Sequence, residues 1–96
     1  MLESSTEKKF KKEVEKLGGW ALKFIPLHLA GFPDRITLLP GGNVFFAELK
    51  QKGKPLRKLQ VVVCSRLKRM GFTVDRVDED NLTQTIEKYR DAIHSA

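Results

Sequence analysis

The tetrad Pro40-Gly41-Gly42-Asn43 constrains this chain more than any other stretch. It separates two short runs with strand character, residues 35–39 and residues 44–50, and a turn this tight returns the second run antiparallel to the first. Residues 55–70 then carry helical spacing. Pro55 suits a first turn, Leu56, Leu59, Val63, Leu67 and Met70 form an apolar stripe, and Gly71 is the stop. Residues 72–77 alternate as a strand, Phe72, Val74 and Arg76 against Thr73, Asp75 and Val77. A hairpin followed by a helical crossover implies a mixed sheet flanked by helices.

The outer elements complete an order α-β-β-β-α-β-α. Residues 4–17 open with Ser4 and Glu7, a capping-box spacing, and Phe10, Val14 and Leu17 then recur at +4 and +3 as one helical stripe. Extended backwards, that stripe meets Glu7 and then Glu3, so both carboxylates point toward the body of the domain. Gly18-Gly19 ends the helix. Residues 20–25 have aromatic and β-favouring content up to Pro26, and residues 27–33 are punctuated as a loop. Asp78 or Asp80 caps a last helix with Leu82, Ile86, Tyr89 and Ile93 on one face.

Ninety-six residues fit one domain, residues 1–96. Hydrophobic residues at 41% supply a single core, a small one for which association between copies adds stability. Eighteen Lys and Arg against twelve Asp and Glu leave a charge of +6, which favours a polyanionic partner, nucleic acid before a membrane surface. One cysteine excludes an internal disulfide and a Cys-rich zinc site. The longest apolar runs have four residues, far below the roughly 20 of a membrane span. The first ten residues are charged where a signal peptide is greasy. The expectation is a soluble, intracellular, cytoplasmic domain.

Chemistry enters at the end of the strand 44–50. Val44, Phe46, Glu48 and Lys50 share one face, and Phe45, Ala47 and Leu49 the other. A carboxylate and an ammonium interrupting an inner face together need a reason, because buried charge must be paired or metal-bound. They can form a cross-face ion pair, or the strand end can reach solvent. The hairpin adds Asp34, which it returns to the Glu48–Lys50 end of the neighbouring strand. Two carboxylates at a sheet end are hard oxygen ligands of the kind Mg²⁺ and Mn²⁺ prefer, although an Asp after proline is also a common loop cap. Gln60 falls inside the helical stripe, about 40° around from Leu56 at 100° per residue. Taken by itself it reads as a helix-surface residue at the edge of the stripe rather than as a polar group aimed at a site.

Glu7, Pro33-Asp34, Glu48-Leu49-Lys50 and Gln60, in that element order, resemble the PD-(D/E)XK nuclease superfamily. Within it the chain is most similar to the VRR-NUC domain, the virus-type replication-repair nuclease, in its stand-alone phage and bacterial form. The resemblance rests on Gly31-Phe32-Pro33-Asp34-Arg35-Ile36, Pro40-Gly41-Gly42, Phe46-Ala47-Glu48-Leu49-Lys50, Gly53 and Leu59-Gln60, with Gly18-Gly19 and Leu22-Lys23-Phe24 in support. It covers nearly the whole chain.

The resemblance implies a restriction-endonuclease-like core and a metal-dependent deoxyribonuclease. Asp34, Glu48 and the Leu49 backbone carbonyl are its expected Mg²⁺ or Mn²⁺ ligands, with Glu7 (or Glu3) joining through water. Lys50 orients the attacking water, and Gln60 supports the lysine or the water. Lys52, Lys54, Arg57 and Lys58, clustered after the strand, are candidate phosphate contacts that position DNA without reading sequence. Lys8, Lys9, Lys11 and Lys12 on the first helix are either further contacts or a solvated face. The family form implies a homodimer acting on branched DNA such as four-way junctions. The alternatives are a flap or nicking nuclease, or a non-catalytic nucleic-acid-binding module. His28 reads as a loop or interface residue, Cys64 as packing and Trp20 as core.

Overall fold

The computed structural model describes residues 4–95; Glu3 lies outside them. Helix α1 (Ser5–Lys16) leads into strands β1 (Trp20–Lys23), β2 (Arg35–Leu39) and β3 (Asn43–Leu49), followed by helix α2 (Lys58–Arg69), strand β4 (Thr73–Val77) and helix α3 (Leu82–His94). The sheet order is β1-β2-β3-β4, antiparallel except for the parallel β3–β4 pair that α2 connects. This is the expected order and the expected mixed sheet.

The turn works as its residues require. Gly41 and Gly42 take φ of 83° and 76°, the left-handed region that L side chains avoid, and Asn43 Nδ2 donates to the Pro40 carbonyl at 2.9 Å. The resulting register sets Leu39 opposite Asn43 and Arg35 opposite Ala47. Asp34, one residue before β2, therefore lies beside the end of β3.

Strand alternation divides the core into two layers. On one face Phe45, Ala47 and Leu49 of β3 meet Phe10 and Val14 of α1 and Leu82, Ile86 and Tyr89 of α3. Tyr89 packs its ring against both Phe10 and Phe45, at centroid distances of 6.1 and 4.9 Å. On the other face Phe46 and Val74 meet Cys64 and Leu67 of α2. Each large apolar side chain so buried contributes about 1.5–3 kcal/mol. The Ser4 capping box is formed, with Glu7 N donating to Ser4 Oγ and Ser4 N to Glu7 Oε2, both at 3.1 Å.

Four local expectations change. Strand β1 stops at Lys23 instead of residue 25, because Pro26 restricts the residue before it and Ile25 is exposed. Trp20 is 64% exposed and not a core residue. It lies in the row Trp20–Leu38–Val44 at the end of the sheet, where Val44 too is exposed. Helix α2 begins at Lys58, and its buried side is Cys64 and Leu67, leaving Leu59 and Met70 of the expected stripe outside. The stripe is rotated because Gln60 is drawn inward by a polar partner on the sheet. The residue capping α3 is Asn81, while Asp78 braces the preceding turn by accepting from Asp80 N and Asn81 N.

Candidate active site

The β2–β3 hairpin, the C-terminal end of β3 and the start of α2 meet at one point. Asp34 N donates to Glu48 Oε1, and Leu49 N donates to Asp34 Oδ1, both at 3.1 Å. The two acids are thus cross-braced, each holding a backbone amide of the other's strand. Gln60 Nε2 donates to Glu48 Oε2 at 3.1 Å, and Lys50 Nζ stands 3.8 Å from the same oxygen. Gln60 Oε1 accepts from Arg57 N at 2.8 Å, so one amide both caps α2 and restrains Glu48. The structure therefore brings Asp34, Glu48, Lys50 and Gln60 together, and it ties Gln60 to the glutamate instead of the lysine. Gly31, at φ 85°, presses against α2 so closely that a Cβ there would lie 2.8 Å from Leu59 Cγ. This contact seats the segment that delivers Asp34.

Electrostatics follow from burial. Glu48 is 7% exposed, and its pKa is raised, first by desolvation and then by the charge of Asp34. The pKa of Asp34 is raised as well, mainly by desolvation, against the lowering effect of the Leu49 amide. Two partly desolvated carboxylates side by side are stabilised as ions by nearby positive charge. Lys50 supplies part of that charge. The donor set of two carboxylates and an adjacent backbone carbonyl is all hard oxygen and fits Mg²⁺ or Mn²⁺. Among the described residues no trio of His, Cys, Asp or Glu side chains converges as a ligand set, so backbone and water oxygens would complete the shell.

Glu7 arrives from the opposite layer. Its Oε1 is 3.9 Å from Arg35 Nη2, and its charge adds to the upward pressure on Asp34. With its other oxygen engaged at Ser4, it stands at the border of the site. A cleft of about 310 Å³ runs between the start of α1 and the end of β3, lined by Ser4, Thr6, Glu7, Lys50 and Lys52 among others. Lys52, Lys54, Arg57 and Lys58 are all exposed, and Lys52, which lines the cleft, shares its charge with Asp80 at 3.8 Å.

Sequence reasoning missed two arginines. Arg35 is 3% exposed and lies between Asp34 and Glu7. Arg76 sits opposite Glu48 in the β3–β4 register. The signal was present for both, since each alternates with inward residues along its strand, Arg35 with Thr37 and Leu39, and Arg76 with Val74. Cys64 is buried as expected, and His28 is exposed in its loop.

A buried glutamate and a half-buried aspartate beside a lysine, at the end of a hairpin strand in a three-layered α/β fold, have the make-up of a nuclease-type site. Comparison with known proteins agrees. A solved VRR_NUC domain superposes with a TM-score of 0.81 at 28% identity, covering 88% of this chain and 92% of that one. "Putative nuclease p44" of Acyrthosiphon pisum secondary endosymbiont phage 1 is 36% identical over 84 residues, 88% of this chain and 90% of the relative. No family model matches. The chain belongs to the VRR-NUC family of nuclease domains.

Proposed function

We propose that this nuclease domain hydrolyses phosphodiester bonds in DNA with Mg²⁺ or Mn²⁺, and that it selects branched DNA, four-way junctions foremost, as a homodimer in the cytoplasm of a bacterial or phage-infected cell. The observation that carries the hydrolytic reading is the cross-braced pair Asp34 and Glu48, its ionisation opposed by burial, with the Lys50 ammonium 3.8 Å from Glu48. A module that only grips nucleic acid has no use for two carboxylates facing a phosphate, which argues against the binding alternative.

Asp34, Glu48 and the Leu49 carbonyl would hold the cation, with Glu7 contributing through water. When bound, the cation acidifies water and stabilises the charge growing on the phosphate. The rest is done by the chain. Lys50 orients the attacking water and offsets negative charge in the transition state. Gln60 keeps Glu48 from turning away, and the lysines around the cleft hold the phosphate backbone. A panel of duplex, flap, fork and four-way junction DNA, incubated with Mg²⁺, Mn²⁺ or excess EDTA, tests the proposal. Metal-dependent cutting led by the junction is expected. Undiminished cutting in EDTA overturns the metal mechanism, a preference for flaps or nicked duplex selects the alternative substrate, and binding without any cutting selects the grip-only module.

A further inference from the structure

We propose that Arg76 is a positioning residue for the nucleic acid: it fixes the carbonyl frame of residues 51–54 and so sets where Lys52 and Lys54 stand beside the cleft. The inference rests on the nuclease reading above, and it concerns a residue outside the acid–lysine set.

The loop leaves the sheet at Lys50, whose N donates to the Val77 carbonyl at 2.8 Å, the last bond of the β3–β4 ladder. Beyond that point it folds as one turn, Lys54 N donating to the Gln51 carbonyl at 3.0 Å. Arg76 reaches both ends of the turn. Its Nε donates to the Lys54 carbonyl at 2.7 Å and its Nη2 to the Gln51 carbonyl at 3.5 Å. The third donor, Nη1, meets Asp78 Oδ2 at 2.7 Å, and the same oxygen accepts from Gly53 N at 3.5 Å. Arginine and aspartate together therefore hold the main chain of Gln51, Gly53 and Lys54, while Lys52 and Lys54 present their side chains to solvent.

The anchor is itself anchored. Asp78 is 5% exposed, and its Oδ1 accepts from Asp80 N and Asn81 N at 2.9 and 3.2 Å. Asn81 Nδ2 donates to the Arg76 carbonyl at 2.9 Å. The Arg76 hydrogen bond and these amides hold the Asp78 carboxyl down to about 2, so Asp78 stays an anion near neutral pH. A loop fixed in this way before binding loses less chain entropy when phosphate arrives. The three acceptors diverge around a planar guanidinium; an ammonium in its place is a point charge that cannot span them.

That difference supplies the test. DNA affinity is measured on a labelled four-way junction with duplex arms in EDTA, for wild type, Arg76→Lys, Arg76→Ala, Lys52→Ala/Lys54→Ala and their combinations, at temperatures where circular dichroism shows each variant folded. Arg76→Lys keeps the charge and the contact to Asp78, which guards against the case in which Arg76→Ala does not fold. Both Arg76 variants should weaken binding roughly tenfold and flatten the salt slope by about one. In the Lys52→Ala/Lys54→Ala background the Arg76→Lys effect should shrink to less than about twofold, because residues that act through one another are not additive. With metal present KM should rise while kcat at saturating DNA holds, since the acid pair is untouched. Wild-type affinity in Arg76→Lys, or a full effect that persists without the two lysines, overturns the proposal. A wild-type protein that binds no DNA overturns the nuclease reading along with it.

Discussion

Asp34 and Glu48 set how the fold answers to pH and, on the proposed mechanism, to metal. Both carboxyls hold their protons more tightly in the fold than in the unfolded chain. As pH rises from about 4, where unfolded carboxyls ionise, the unfolded state loses these protons first and the native state binds more, so stability falls through that window. Asp34→Asn should therefore raise the melting temperature in EDTA at pH 7 while abolishing cleavage, because Asn Oδ1 can still accept from Leu49 N. Each kcal/mol of relief is worth about 4–8 °C in a domain of this size. Mg²⁺ should stabilise the wild type, which it binds only when folded, and leave Asp34→Asn nearly unchanged. A destabilised Asp34→Asn protein and a wild type indifferent to Mg²⁺ would remove the metal site. Cleavage should also fail at a higher pH on acidification than ordinary carboxylates would allow.

Lys50 and Gln60 divide differently. Lys50→Ala should cut kcat by about 10²–10³ at saturating metal, the scale of losing one group that stabilises developing charge. Gln60→Ala removes one hydrogen bond to Glu48, a loss of about 0.5–1.5 kcal/mol and so roughly tenfold at most. Single-turnover rates that rank the two in reverse order would make Gln60 the more important partner. The acid, acid and lysine were legible in the sequence, since alternation placed Glu48 and Lys50 on one face and the hairpin returned Asp34 to them. The partner of Gln60 was not. Helical periodicity gives the angle of a side chain around α2 but not which polar atom the sheet presents to it.

At the scale of elements, the order and the pairing followed from the Pro40–Asn43 turn and from two-residue alternation, which fix register and face. What alternation leaves open is how far a covering helix extends. Trp20 has the composition of a core residue and lies on the face that α2 covers, yet it sits in a row beyond the helix and stays exposed. The same limit hid the rotation of α2 and the anchoring of residues 51–54, a long-range contact between β4 and a loop some 25 residues earlier. The basic cluster from Lys50 to Lys58 should track phosphates without reading bases. If about five of its charges make contact, log K against log salt should have a slope of roughly −4 to −5 on duplex arms. Charge reversal at Lys52 and Lys54 should weaken binding alike on unrelated sequences. An affinity indifferent to salt would show that this cluster does not touch the backbone.

For the molecule as a whole, the open question is what covers its apolar surface. Among the described residues no helix is long and apolar enough to cross a membrane. Helix α3 turns Glu87, Lys88, Arg90 and Asp91 outward, so of the two C-terminal helices only α2 offers an apolar face. There Leu59, Val62 and Met70 are more than half exposed, and with Leu29 and Phe32 they line a groove of about 410 Å³. A second copy seated on this face would bury side chains that a small core leaves in water. A two-fold dimer would also set two equal sites at a fixed separation. One acid–lysine set cuts one strand, whereas resolving a four-way junction takes two symmetric cuts. Light scattering should accordingly report about twice the 11.0 kDa chain mass. Val62→Glu, which places a charge in the groove, should give a folded monomer. That variant should still nick DNA but lose paired cuts on junctions. If wild type is a monomer at micromolar concentration, cutting flaps and sparing junctions, then α2 does not face a second copy, and the acid pair works as a single-strand cutter.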